Sequence, residues 1–88
     1  MIYHVYAIRD SVSGEYLAPM LDQTDDLARR NYRHTVMIDH GLLSTHTTDY
    51  DLYCIGTYDS ETGRLTPAEP VLTMRGADID VHQDPHSV

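Results

Sequence analysis

The chain has 88 residues, with 14 Asp or Glu against 6 Arg and no Lys, for a net charge of −8. That balance excludes a general polyanion binder, which needs clustered cations. A single cysteine, Cys54, excludes an intramolecular disulfide, so the sequence reads as one small domain of a reducing compartment that is held together by packing.

Residues 2–9, IYHVYAIR, are rich in aromatic and β-branched types and predict a first strand. Asp10 to Gly14 then follow the pattern Asp-Ser-X-Ser/Thr-Gly, which recurs at Asp59 to Gly63. An Asp at the first position bonds the backbone two residues on, and a Gly at the last accepts positive φ, so each corner predicts a turn closed by a glycine bulge. Asp10, Gly14, Asp59 and Gly63 are therefore read as structural turn residues. Residues 15–21 predict a returning strand that is an edge or ends near Pro19, because proline cannot donate to a ladder.

A helix is expected over residues 24–38. Asp22 or Thr24 can cap it, and Asp25 and Asp26 suit its first turn. Leu27, Ala28, Tyr32, Thr35 and Val36 fall on one side at helical spacing, with Arg29, Arg30 and Arg33 on a neighbouring stripe. Gly41 is a natural stop. Residues 42–49 read as a Ser, Thr and His loop, and residues 50–59 as a third strand. A fourth, RLTPAEPVLTM, is broken by Pro67 and Pro70, which leaves VLTM as a separate short segment. The domain is expected over 1–76 and a flexible acidic tail over 77–88, with Ile79 and Val81 its only candidates for docking.

The fold class expected is α+β: two β-hairpins forming a small antiparallel sheet, covered on one face by a single helix. So thin a sheet leaves edges and an open face unprotected. A homodimer through a sheet edge or through the uncovered, Tyr-bearing face is the matching expectation.

The candidate nucleic-acid-binding residues are Arg29, Arg30, Arg33 and His34. The three guanidiniums lie within about a third of the helix circumference at ~100° per residue, beside Tyr32, and could hold a phosphate and stack a base. The competing reading is a solvated helix, with Asp25–Arg29 and Asp26–Arg30 as ordinary i,i+4 pairs. His82 and His86, and Asp39 and His40 near His46, do not make the three or four converging ligands that zinc needs. No metal and no cofactor is expected. Cys54 reads as an inert buried thiol. No phosphate loop, nucleophile elbow or zinc-protease motif is present, so the expectation is a protein that is not an enzyme. No stretch approaches the ~18 apolar residues of a membrane span, and the start lacks the features of an export signal.

Five stretches, YAIRD with Gly14 following, DQTDDLARRNYRH, DYDLYCIGTYD, ETGRL and the Pro pair after it, carry a resemblance. Over roughly residues 3–75 the chain resembles the small nonstructural protein of gokushovirus-type microviruses, phages with circular single-stranded DNA. The resemblance implies a product outside the virion, in the host cytoplasm, that acts in genome replication or the switch to single-stranded genome synthesis and packaging. Single-stranded DNA or the replication machinery would be its partner. It supplies no catalytic residues; Arg30, Tyr32 and His34 match the family's helix motif. The alternative is an adaptor or DNA mimic that binds a host or phage replication factor.

Overall fold

The computed structural model describes residues 1–79. Four strands form one antiparallel sheet: β1 (Ile2–Asp10), β2 (Met20–Asp22), β3 (Tyr50–Asp59) and β4 (Arg64–Arg75), in the order β2-β1-β3-β4. The main helix, α1 (Asp25–Ile38), crosses one face. The expected α+β architecture is the one observed.

The helix begins where capping chemistry places it. Thr24 Oγ1 accepts the Leu27 N–H at 3.2 Å, and Asp25 and Asp26 occupy the positively polarised first turn. Its buried stripe is Ala28, Tyr32 and Val36, spaced by four. These side chains pack on Tyr6 and Ile8 of β1 and Tyr50 and Leu52 of β3 to form the core. Burial of the larger aliphatic side chains here, Ile8, Val36 and Leu52, contributes about 1.5–3 kcal/mol each.

Polar groups fix the helix over the sheet with one bond to each strand. Tyr6 of β1 donates to Asp25, and Asn31 donates to Asp22 of β2 at 2.8 Å. Tyr32 donates to the Tyr50 carbonyl of β3 at 2.7 Å, and Arg29 Nε donates to the Thr73 carbonyl of β4 at 3.0 Å. Burial holds the Tyr6 and Tyr32 hydroxyls well above the ordinary phenol range, and the neighbouring Asp25 and Asp51 carboxylates push in the same direction.

The two corners are built alike. Asp10 Oδ1 accepts the Val12 N–H at 2.9 Å and its carbonyl accepts Gly14 N–H at 2.8 Å; Asp59 repeats both bonds to Glu61 at 2.9 Å and Gly63 at 2.7 Å. Gly14 and Gly63 sit at φ +77° and +72°, where a Cβ is strained. Register separates them: Asp10 opposes Tyr50, whereas Asp59 opposes Ile2, so the corners lie at opposite ends of the β1–β3 pair.

Four expectations are corrected. Strand two does not span 15–21. Tyr16 makes an isolated bridge to Arg9, the ladder fails through Pro19, and only Met20–Asp22 pairs with His4–Tyr6. A proline without an N–H interrupts the run, which leaves an isolated bridge before it and a strand of three residues after it. By contrast, β4 is unbroken from Arg64 to Arg75. Pro67 opposes Gly56, and the next register pair is Cys54 with Val71, so residues 68–70 bulge opposite Ile55. An edge strand with bulges tolerates prolines that a central strand would not.

The loop expected at 42–49 contains a one-turn helix, α2 (Leu42–Thr45), and a 3₁₀ turn (Thr47–Asp49). Asp39 Oδ2 seeds it by accepting the Gly41 and Leu43 N–H groups at 2.9 and 3.1 Å. Buried Thr47 donates back to the Leu43 carbonyl at 2.8 Å. Finally, packing continues past residue 76. A 3₁₀ turn (Gly76–Asp78) leads to Ile79, which is 7% exposed and belongs to the core. Gly76 donates to Asp51 at 2.9 Å, and a Cβ there would lie 1.9 Å from the Thr47 carbonyl oxygen, so glycine is required for the close approach. The rest of the expected tail, with Val81, His82 and His86, lies outside the described residues.

No helix among the described residues is long and apolar enough to cross a membrane.

Candidate functional site

The helix stripe divides once its geometry is known. Arg29 is a structural clamp. Its Nε holds the Thr73 carbonyl, and Nη1 lies 2.9 Å from Asp26 Oδ1 in an i,i+3 pair. The i,i+4 pairs expected from Asp25 and Asp26 do not form: Asp25 accepts from Tyr6 and Asp26 turns to Arg29. Arg30, Arg33 and His34 are exposed, and among the described residues none has an ion-pair partner. Tyr32 does not join them. It is fully buried, with its hydroxyl committed to Tyr50. The helix therefore offers two free guanidiniums and an imidazole, without a ring to stack on.

The rings lie on the opposite side of the sheet. Side chains alternate along a strand, so the residues between the core positions of β1 face away from the helix: Tyr3, Val5, Ala7 and Arg9. Register aligns them into rows. Tyr3 lies beside Tyr58 and Leu65, Val5 beside Gly56 and Pro67, Ala7 beside Tyr53 and Leu72, and Arg9 beside Asp51 and Arg75. No helix among the described residues covers this face, but the 15–19 segment reaches it through Tyr16 and Pro19, and Val5 and Ala7 are buried there.

Two aromatic pairs stand on it. Tyr3 and Tyr58 have ring centroids 6.5 Å apart and tilted, and Tyr16 meets Tyr53 edge to face at 5.8 Å. Between them lies an apolar hollow of about 250 Å³, lined by Val5, Pro19, Ile55, Leu65 and Pro67 among others. At the far end, Arg9 and Arg75 flank Asp51, yet neither forms an ion pair among the described residues. One Asp51 oxygen is occupied by the Gly76 N–H.

Sequence reasoning missed Arg9 and Arg75 as a pair. The signal was present in part: Arg9 has the same parity as Tyr3, Val5 and Ala7, but Arg75 joins it only through the register of β4. Elsewhere, His46 and two acids, Asp10 and Asp49, line a second hollow of about 180 Å³ with Tyr50, Leu42 and Val12. The His46 ring nitrogen Nδ1 contacts Thr45 Oγ1 at 2.9 Å. Cys54 is half-buried against the core, its thiol 3.7 Å from the Gly56 carbonyl. Among the described residues, no three His, Cys, Asp or Glu side chains converge as a metal site would require.

Residues 3–79 match the family described as Phage ORF5 protein. No curated protein and no solved structure matches the chain.

Proposed function

Because the chain belongs to the Phage ORF5 protein family, we propose that it is a non-enzymatic phage accessory protein that contacts DNA during viral genome replication. In this reading it is the nonstructural product of a gokushovirus-type microvirus. It acts in the host cytoplasm, outside the virion, on replication or on the switch to single-stranded genome synthesis and packaging.

The observation that supports a direct DNA contact is the state of the arginines. The chain carries 14 acidic residues and 6 arginines, yet among the described residues only Arg29 has a carboxylate within ion-pair distance. Among the described residues, Arg9, Arg30, Arg33, Arg64 and Arg75 have no carboxylate at that distance. A planar fork left free of carboxylates is suited to bidentate capture of phosphate. A few such groups on an acidic chain fit a local contact rather than broad coating of a duplex.

The test is binding of a labelled single-stranded oligonucleotide at low and moderate salt. A direct contact weakens steeply as salt rises, because phosphate neutralisation releases counterions. No binding even at low salt removes the DNA reading. It would favour the second reading, an adaptor for a replication protein, for which the exposed apolar side chains of edge strand β4 speak. Leu65, Val71 and Leu72 there are 66%, 62% and 44% exposed.

A further inference from the structure

We propose that the open face of the sheet is a stacking surface for single-stranded nucleic acid, with Tyr3, Tyr53 and Tyr58 receiving bases and Arg9 and Arg75 receiving phosphate. The inference rests on the reading that the protein contacts DNA, and it moves that contact from the helix to the other side of the molecule.

The argument starts from where the rings are. Tyr3 lies on β1 and Tyr53 and Tyr58 on β3, the two central strands, so the sheet backbone holds them on both sides. All three are half-buried: anchored at the base, with part of the ring in solvent. Such rings suit stacking, because every base has a π-face and the loss of mobility on binding is small. The hollow in the Val5 row lies between the two aromatic pairs and is floored by apolar atoms, which matches the face of a base and not its hydrated edge.

Charge points to the same occupant. A single strand brings phosphates as well as bases, and the face ends in two guanidiniums that have no ion-pair partner among the described residues. Two guanidiniums stand against the single Asp51 carboxylate in this row, so its formal charge is positive. A second copy of the chain laid on this face would bury both guanidiniums and bring two molecules of charge −8 together. Burying unpaired charge is costly. Stacking also explains how an acidic protein could hold DNA at all: the rings contribute affinity that phosphate contacts alone would not supply.

The experiment uses the whole chain and a fluorescent oligothymidylate of about 10 nucleotides, within the range one small domain covers. The single strand should bind more tightly than a duplex of equal length. Tyr53→Leu and Tyr58→Leu should each weaken binding by about 5- to 100-fold, and Tyr58→Phe by far less, because the ring is what stacks. Arg9→Gln with Arg75→Gln should lower the slope of log affinity against log salt by about 1.4. Ring resonances of the unaltered protein provide a readout that needs no variant to fold: those of Tyr3, Tyr53 and Tyr58 should shift with oligonucleotide while those of Tyr6 and Tyr32 stay. Affinity lost on changing Arg30 and Arg33, with the three rings unmoved, would overturn the sheet-face assignment and leave the replication role standing. Failure to bind any DNA at low salt would overturn both. Sedimentation showing a dimer that Tyr53→Leu splits would give the face to a second copy instead.

Discussion

Arg29 illustrates how a side chain that looks like a ligand group becomes part of the frame. Its Nε is the link between α1 and β4, and a hydrogen bond from a charged donor to a part-buried carbonyl is worth about 1.5–3 kcal/mol. Arg29→Ala should lower unfolding stability by about that amount in a urea titration and leave oligonucleotide affinity unchanged. Asp26→Asn should cost under about 1 kcal/mol, since the Asp26 side chain is 95% exposed and surface pairs contribute little. In the sequence the three arginines are equivalent. What separates them is that only Arg29 comes within reach of Thr73, a residue 44 positions away in the chain.

The buried tyrosines give a second expectation at this scale. Tyr32 is raised above its ordinary value of 10.0 first by burial and then by Asp51, and Tyr6 by burial and then by Asp25. A phenol raised on folding contributes stability that is fully present below the unfolded value and is lost as pH climbs toward the folded one. Stability should therefore begin to fall above about pH 10, and Tyr32→Phe should fall less steeply. At neutral pH that variant should be less stable by about 1–3 kcal/mol, because the Tyr50 carbonyl loses its buried donor.

Among the elements, the corners were the most legible, because each is encoded in five adjacent residues that answer to backbone geometry alone. Helix α1 was legible for the same reason: cap, acidic first turn and apolar stripe are all local. The strands after each corner were not. Pro19 and Pro67 look the same in sequence, but one ends a ladder and the other lies in an edge strand with bulges that accommodate it. The α2 turn depends on Asp39 reaching forward to Gly41 and Leu43, a bond no periodicity reveals. Because the two corners share one design, Gly14→Ala and Gly63→Ala should cost similar amounts, about 1–2 kcal/mol each, in thermal or urea unfolding. A large difference between them would mean that the Arg9 guanidinium, which a Cβ on Gly14 would approach to 3.8 Å, matters to that corner.

At the scale of the molecule, the Cα framework measures 45 × 30 × 18 Å, a plate with one layer of core. A core so thin recruits what it can reach, and Ile79 closes it from beyond the last strand. Ile79→Ala should destabilise the protein by about 2–4 kcal/mol, and a chain ended at residue 76 should lose at least as much in the same urea titration. The sequence placed Ile79 in a tail because acidic neighbours surround it. Its burial depends on Gly76 passing beneath Thr47 and Tyr50, a contact between segments far apart in the chain.

The strand order has a consequence for how the molecule comes into being. β1 precedes the other three strands in the chain yet ends up at the centre, with Ile2 opposite Asp59. As the chain leaves the ribosome, β1 has no long partner until β3 emerges, and the earlier partner, β2, has only three residues. Closing so long a loop slows assembly, so the nascent chain waits, with the run Val5–Ile8 that will be buried still unshielded, for a strand that has not yet been synthesised.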